Sequence, residues 1–196
     1  MFANRFTAFI DACSLAGALR RNLLLTLAEA EFFRLRWSSM VLTETEAAIE
    51  KMLGAKGATD AAASAARARS SMEAAFEDAM VEGFDDLLSV GALLPDSDDA
   101  HVLAAAIKTR AAMLVTENLK HFPQAALQRL NIEVRSSDAF IADTIALDPG
   151  KAVAAIRTMR LRLKKPEKTA EILLLDMEAT GLVETADALR SHILSL

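Results

Sequence analysis

Several oxygen-bearing side chains stand where short apolar segments end, and their spacing suits divalent-cation chemistry. Asp11 closes the apolar run that starts at Arg5 and ends at Ile10. Thr116 and Asn118 close a second run, Ala112 to Thr116, and Asp96, Ser97, Asp98 and Asp99 open the alanine-rich stretch before it. In an open parallel sheet ligands bind outside the carboxyl ends of the strands, so polar residues at two strand ends face one crevice. The acidic start of the intervening helix reaches the same end. Carboxylates from several segments are what a magnesium site uses, since the ion prefers oxygen donors and keeps several waters. Such a site supports phosphodiester hydrolysis, in which metal charge offsets the charge developing on phosphate.

The elements that must position these residues are legible as alternating short apolar segments and amphipathic helices. Arg5 to Ile10 reads as a buried strand, and Ser14 to about Phe33 as a helix with Leu15, Leu19, Leu23 and Leu27 on one stripe. A second helix begins at Trp37-Ser38, with Ser38 as N-cap, and an alanine-rich helix spans about Asp60 to Met80. Leu87 to Leu94 suggests a strand before Pro95. Asp96 to about Ala111 reads as a helix, Ala112 to Thr116 as a core strand, Ile132 to Val134 as a strand and Ser136 to Ile145 as a helix. This alternation predicts an α/β fold, a parallel sheet with helices on both faces. Asp148-Pro149-Gly150 is a break, and three helical segments follow it: Lys151–Leu163, Lys168–Thr180 and Leu182–Leu196. The chain divides accordingly into residues 1–146 and a small C-terminal helical extension, 147–196.

Composition narrows the class. The chain has 196 residues, 53% hydrophobic and 25% charged, as in an ordinary globular protein. No apolar run is long enough for a membrane helix, and Asp11 interrupts the N-terminal apolar stretch, which argues against a signal peptide. Cys13 is the single cysteine, so no internal disulfide forms, which fits a reducing cytoplasm. The net charge is −5, but it is unevenly spread. Acids fill Glu77 to Asp99 with no Lys or Arg among them. Lys151, Arg157, Arg160, Arg162, Lys164, Lys165 and Lys168 make the C-terminal part basic. An acidic protein with such a region still offers phosphate a surface.

Three stretches together resemble the PIN-domain family. FIDACSLAGAL is similar to its first strand with the acid that ends it. WSSMVLTETEAAI is similar to its second helix, where a glutamate follows the Trp-Ser start by two turns. LPDSDDAHVLAAAIKTRAAMLVTENLKHFP is similar to its third acid, alanine-rich helix, core strand and final polar position. The resemblance covers roughly residues 5–146, and the tail resembles a helical extension found on one branch of PIN toxins from bacterial toxin–antitoxin pairs. It implies Asp11, Glu44 and Asp99 as metal-binding and catalytic acids and Asn118 as the fourth catalytic position. Thr116 and Ser14 would support them by hydrogen bonds, with Asp96 close by. It further implies Mg2+ or Mn2+, an RNA substrate cut by in-line attack of water to leave 5′-phosphate and 3′-hydroxyl ends, a cognate antitoxin and a homodimer. Arg20, Arg21, Arg160 and Lys164 are candidates for phosphate contacts. The sequence departs from the family pattern at His121, where many members carry a further acid, which bears on a second metal.

Each residue has a plainer role available. Asp11 caps the next helix, Glu44 shares a solvated face with Glu46 and Glu50, and Asp96, Asp98 and Asp99 serve as N-cap and first-turn acids, Asp98 solely so. Asn118 closes a turn. His101 and His121 read as packed or surface histidines outside the site, and Cys13 as core packing. Two other functions fit parts of the pattern: a catalytically silent PIN-fold binding protein, and a receiver-like phosphoacceptor module. The second lacks the Lys expected after the following strand and the acid pair after the first.

Overall fold

The computed structural model describes residues 6–164 and 166–196. Five short strands form one sheet in the order β3-β2-β1-β4-β5, every neighbouring pair parallel. They are β1 (Thr7–Ile10), β2 (Arg34–Ser38), β3 (Met80–Val81), β4 (Met113–Val115) and β5 (Glu133–Arg135). Helices cover both faces, as the alternating pattern predicts. β1 lies at the centre, and the chain builds outwards through β2 and β3 before crossing to β4 on its other side. That reversal puts a crevice at the carboxyl ends of β1 and β4. The register sets Ile10 opposite Val115.

The helices are α1 (Ala12–Ala16), α2 (Ala18–Glu29), α3 (Ser39–Ala55), α4 (Ala61–Ala75), α5 (Ala100–Lys108), α6 (Gln124–Leu127), α7 (Ser137–Leu147), α8 (Pro149–Arg162), α9 (Ala170–Ala179) and α10 (Val183–Arg190). Ser38 caps α3 by accepting from the Val41 amide at 3.3 Å, and Ser136 caps α7 through the Ala139 amide at 3.2 Å. Asp148 caps α8 and Pro149 takes its first turn, where a missing amide hydrogen costs nothing.

Four local expectations change. The helix read over Ser14–Phe33 breaks at Gly17, which is extended, and ends at Glu29. β2 follows it, unanticipated, with Leu35 and Trp37 buried and Arg34 exposed. The alanine-rich helix stops at Ala75, and its expected end becomes the 3-10 turn Glu77–Ala79 and β3. The run Leu87–Leu94 is no strand: Asp85–Leu93 winds as 3-10 helix packed on α5. Gly91 makes that packing possible, because a Cβ there would stand 2.6 Å from the Ala100 Cβ.

One apolar cluster joins Phe9, Leu24, Leu114 and Phe140 to Ile156, Leu173, Met177 and Leu189 of the last three helices. α8 packs on α2, and α10 on α7. Asp138 of α7 accepts from the Glu184 and Thr185 amides at 2.9 and 2.8 Å, filling the N-terminal donors of α10. Among the described residues no helix is long and apolar enough to cross a membrane.

Candidate functional site

The ends of β1 and β4 are laced together. The Asp11 amide donates to the Val115 carbonyl at 2.9 Å, which extends the sheet pairing by one residue. Asp11 is 5% exposed, and both carboxylate oxygens are used. Oδ1 accepts from the Ala12 amide at 2.6 Å, so Asp11 does cap α1. Oδ2 accepts from the Thr116 hydroxyl at 2.7 Å and the Cys13 thiol at 3.1 Å. Thr116 also takes the Asn118 amide at 3.1 Å, folding the loop after β4 back over the strand end. Asn118 itself is exposed. Ser14 is buried and donates to the Val115 carbonyl at 3.3 Å and to Glu117 at 3.5 Å.

The other acids arrive from α3 and from the start of α5. Glu44 Oε1 lies 3.0 Å from His101 Nε2. Asp96 accepts from the Asp98 amide at 3.0 Å and so caps the 3-10 turn Ser97–Asp99. Asp98 is exposed. Asp99 Oδ2 lies 2.8 Å from His121 Nδ1. Ligand atoms of Asp96, Asp99 and His121 all fall within 4.8 Å of one another.

The charges interact across this crevice. Burial pushes the Asp99 carboxyl above the ordinary carboxylate range; His121 opposes the rise, and the charges of Asp11 and Asp96 add to it. Burial alone would lower His101, but its bond and charge pairing with Glu44, joined by Asp11 and Asp99, hold it above the usual imidazole value. His101 is thus the point at which the three expected acids are felt together. Its Nδ1 is buried without a partner. Burial, then the Asp11 charge, pushes the Cys13 thiol up to about 11.

This donor set fits a divalent cation. Its carboxylate oxygens come from separate segments, and at Asp99 burial first, with the charges of Asp11 and Asp96 behind it, disfavours the bare anion, a cost that such an ion offsets.

Four residues given other roles, or none, in the sequence reading contact the candidate residues. Cys13 is not inert packing: it bonds to Asp11, lies 3.3 Å from the Thr116 hydroxyl and accepts from the Glu117 amide at 3.1 Å. Glu117 accepts from the Ser137 amide at 3.0 Å and faces Arg20 at 3.6 Å, joining the loop after β4 to α2 and α7. His101 and His121 each hold an acid. Their positions two residues after Asp99 and three after Asn118 are the signal that sequence spacing offered.

The basic candidates are largely engaged inside the fold. Arg20 donates to the Cys13 carbonyl at 3.3 Å, and Arg21 to the carbonyls of Leu15 and Ala16 at 2.7 and 3.0 Å. Arg160 donates to the carbonyls of Leu196 and Lys168 at 3.1 and 2.7 Å. Lys164 is exposed, and only its backbone pairs with Glu167, in an isolated antiparallel bridge.

A five-stranded parallel sheet of this order, with acids gathered at its central carboxyl ends, is a PIN-type arrangement, and the chain belongs to the PIN-domain family, whose sequence pattern matches residues 7–120. A second pattern, the VapC50 C-terminal domain, matches residues 137–191 and so begins at α7. The chain is similar to a protein of Mycobacterium tuberculosis described as "Putative ribonuclease VapC50", with 43% identity over 65 residues. That stretch is 33% of this chain and 37% of the relative, so the match spans little more than a third of the relative's length. No solved structure matches significantly.

Proposed function

We propose that this chain is a metal-dependent endoribonuclease and the toxin of a toxin–antitoxin pair. The observation that carries the reading is a buried carboxylate, Asp11, held by the Thr116 hydroxyl where β1 and β4 end, close enough for its charge to act on Asp99 and on His101, the partner of Glu44. Membership of the PIN family and the similarity to a relative described as "Putative ribonuclease VapC50" support it.

In this reading Asp11, Glu44 and Asp99 hold Mg2+ or Mn2+, with Asp96 close by. The cation supplies a Lewis acid that offsets phosphate charge and eases deprotonation of water. Thr116 and the Ala12 amide fix the Asp11 carboxylate so that it does not rotate away. Ser14 braces the end of β4, and Asn118, exposed at the rim, orients the phosphodiester or the attacking water. Arg20 and Lys164 keep exposed surface for phosphate, while Arg21 and Arg160 act by holding backbone in place.

Residues 1–146 are assigned as the nuclease unit and 147–196 as an extension docked on it. Exposed Ile172, Leu175 and Val183 give that extension an apolar surface for a cognate antitoxin or a second copy in a homodimer. The unpaired Cys13 suits a cytoplasmic site of action.

The test is RNA cleavage by wild type and by Asp11→Asn with Mg2+, with Mn2+ and with EDTA. Metal-dependent cutting by wild type alone is the expected result. Equal cutting by both proteins, or cutting that survives EDTA, overturns the reading.

A further inference from the structure

A site that includes an imidazole is chemically different from one built of carboxylates alone. His121 ends the 3-10 turn Leu119–His121 that follows Asn118, and its amide donates to the Asn118 carbonyl at 2.9 Å. Asp96 and Asp99 flank the turn before α5, with Asp96 anchored through Oδ1 to the Asp98 amide. Two short, internally bonded turns from distant parts of the chain therefore aim one nitrogen and two carboxylates at one point.

The spacing is that of ligands about a single ion. With bonds of about 2.1 Å, adjacent ligands in octahedral geometry stand roughly 3 Å apart and opposite ones roughly 4 Å. His121 Nδ1 and Asp99 Oδ2 are 2.8 Å apart, and all three ligand atoms lie within 4.8 Å of one another. Small side-chain adjustments would close the shell. His121 keeps 31% and Asp99 19% of its side chain exposed, so an ion has access and can retain waters.

We propose that Asp96, Asp99 and His121 bind a first-row transition-metal dication, and that His121 gives the centre a preference for Mn2+ through Zn2+ over Mg2+. Imidazole suits these ions, whereas Mg2+ takes oxygen ligands and parts with water reluctantly. The inference rests on the reading that Asp99 serves a cation, and it adds which ion and through which nitrogen.

Mn2+ is the probe, because its electron-spin-echo modulation reports a directly bound 14N. Calorimetry and this spectrum are recorded for wild type, His121→Gln and Asp11→Asn, with circular dichroism to confirm folding. Wild type is expected to show imidazole modulation. His121→Gln loses that signal and weakens Mn2+ by about tenfold or more, while Mg2+ affinity changes far less. Mn2+ bound to wild type without 14N modulation overturns the proposal and leaves the nuclease reading standing if Asp11→Asn weakens that binding. Modulation that persists in His121→Gln overturns it too, and assigns the nitrogen to His101. Failure of any divalent cation to bind wild type removes both readings.

Discussion

His101 Nε2 lies 3.0 Å from Glu44 Oε1, and the pair joins helix α5 to helix α3 across the acidic crevice. The His101 side chain is 6% exposed, while 47% of the Glu44 side chain faces solvent. Burial disfavours the imidazolium, but Glu44, Asp11 and Asp99 together outweigh it and raise the pKa. The folded state then binds more protons than the unfolded one across the neutral range, so stability falls as pH rises through it. Without divalent cation, the urea concentration at the unfolding midpoint should drop as pH rises through the neutral range. Asp99 is raised as well, from an acidic starting point, so its share of the slope falls at lower pH. His101→Gln should flatten the neutral slope; a slope unchanged by that substitution would assign it elsewhere.

Thr116 is fully buried and serves two masters: its hydroxyl donates to Asp11 and accepts from the Asn118 amide. Thr116→Val keeps the shape and deletes both bonds. Asp11 loses a donor in a buried setting, at a cost of about 1–3 kcal/mol. Catalysis should fall by about tenfold or more, since a small misplacement of a positioned group has effects of that size. Chemical denaturation and RNA cleavage, measured on the same preparation, check both. Cleavage at the wild-type rate would show that Asp11 needs no such anchor.

The alternating pattern of strands and helices was readable because β1 and β4 are continuous apolar runs ending in polar residues. Asp11, Thr116 and Asn118 announced themselves as strand-end groups. Glu44 emerged only from family resemblance, since on its own helix it is one of three acids. β2 was hidden because Phe32 and Phe33 prolong the apolar stripe of α2, although Leu35 and Trp37 do alternate with Arg34 and Arg36. The run after Phe84 misled because its apolar content reflects packing on α5, and periodicity over so short a span does not separate a strand from 3-10 helix. As isolated histidines in the sequence, His101 and His121 read as structural. Their pairing with Glu44 and Asp99 depends on tertiary placement that spacing does not encode.

Gly91 couples that 3-10 segment to the acids. It is buried, and an added Cβ would sit 2.6 Å from the Ala100 Cβ and 3.6 Å from its Cα. Ala100 follows Asp99 directly, so relief of the clash must move either the 3-10 run or the start of α5. Gly91→Ala should therefore destabilise the fold by about 1–3 kcal/mol, the usual cost of overpacking. It should also weaken divalent-cation binding in calorimetry. Unchanged stability together with unchanged binding would mean that the segment yields without disturbing Asp99.

Cys13 should be a poor nucleophile despite its place in the site. Its thiol is pushed up to about 11, by burial first and by Asp11 next. At neutral pH it is protonated, and reaction with a disulfide reagent should be at least tenfold slower than in the urea-unfolded chain. The unfolded thiol ionises first as pH rises above its usual value, so the folded state holds the proton longer. Stability is then lost between about pH 9 and pH 11, by up to about 3 kcal/mol. Cys13→Ala should remove that alkaline slope. Rapid modification of the native protein at neutral pH would contradict the burial argument.

Asp138 ties the last helix to the nuclease unit. It lies in α7, yet its carboxylate accepts from the amides of Glu184 and Thr185 at the start of α10, and its carbonyl accepts from the Thr185 hydroxyl at 3.3 Å. A cap supplied from another helix stabilises α10 and docks it in the same interaction. Ile156, Leu173 and Leu189 meanwhile share one apolar cluster with Phe9 and Leu114 of the sheet. Asp138→Ala should cost about 1–2 kcal/mol, the range for losing a capping side chain. Because the core is shared, unfolding should remain a single transition, with circular dichroism and Trp37 fluorescence moving together. Trp37 is fully buried in β2 and reports on the sheet. If helical signal is lost before that fluorescence changes, the extension is an independent unit and the cap its main attachment.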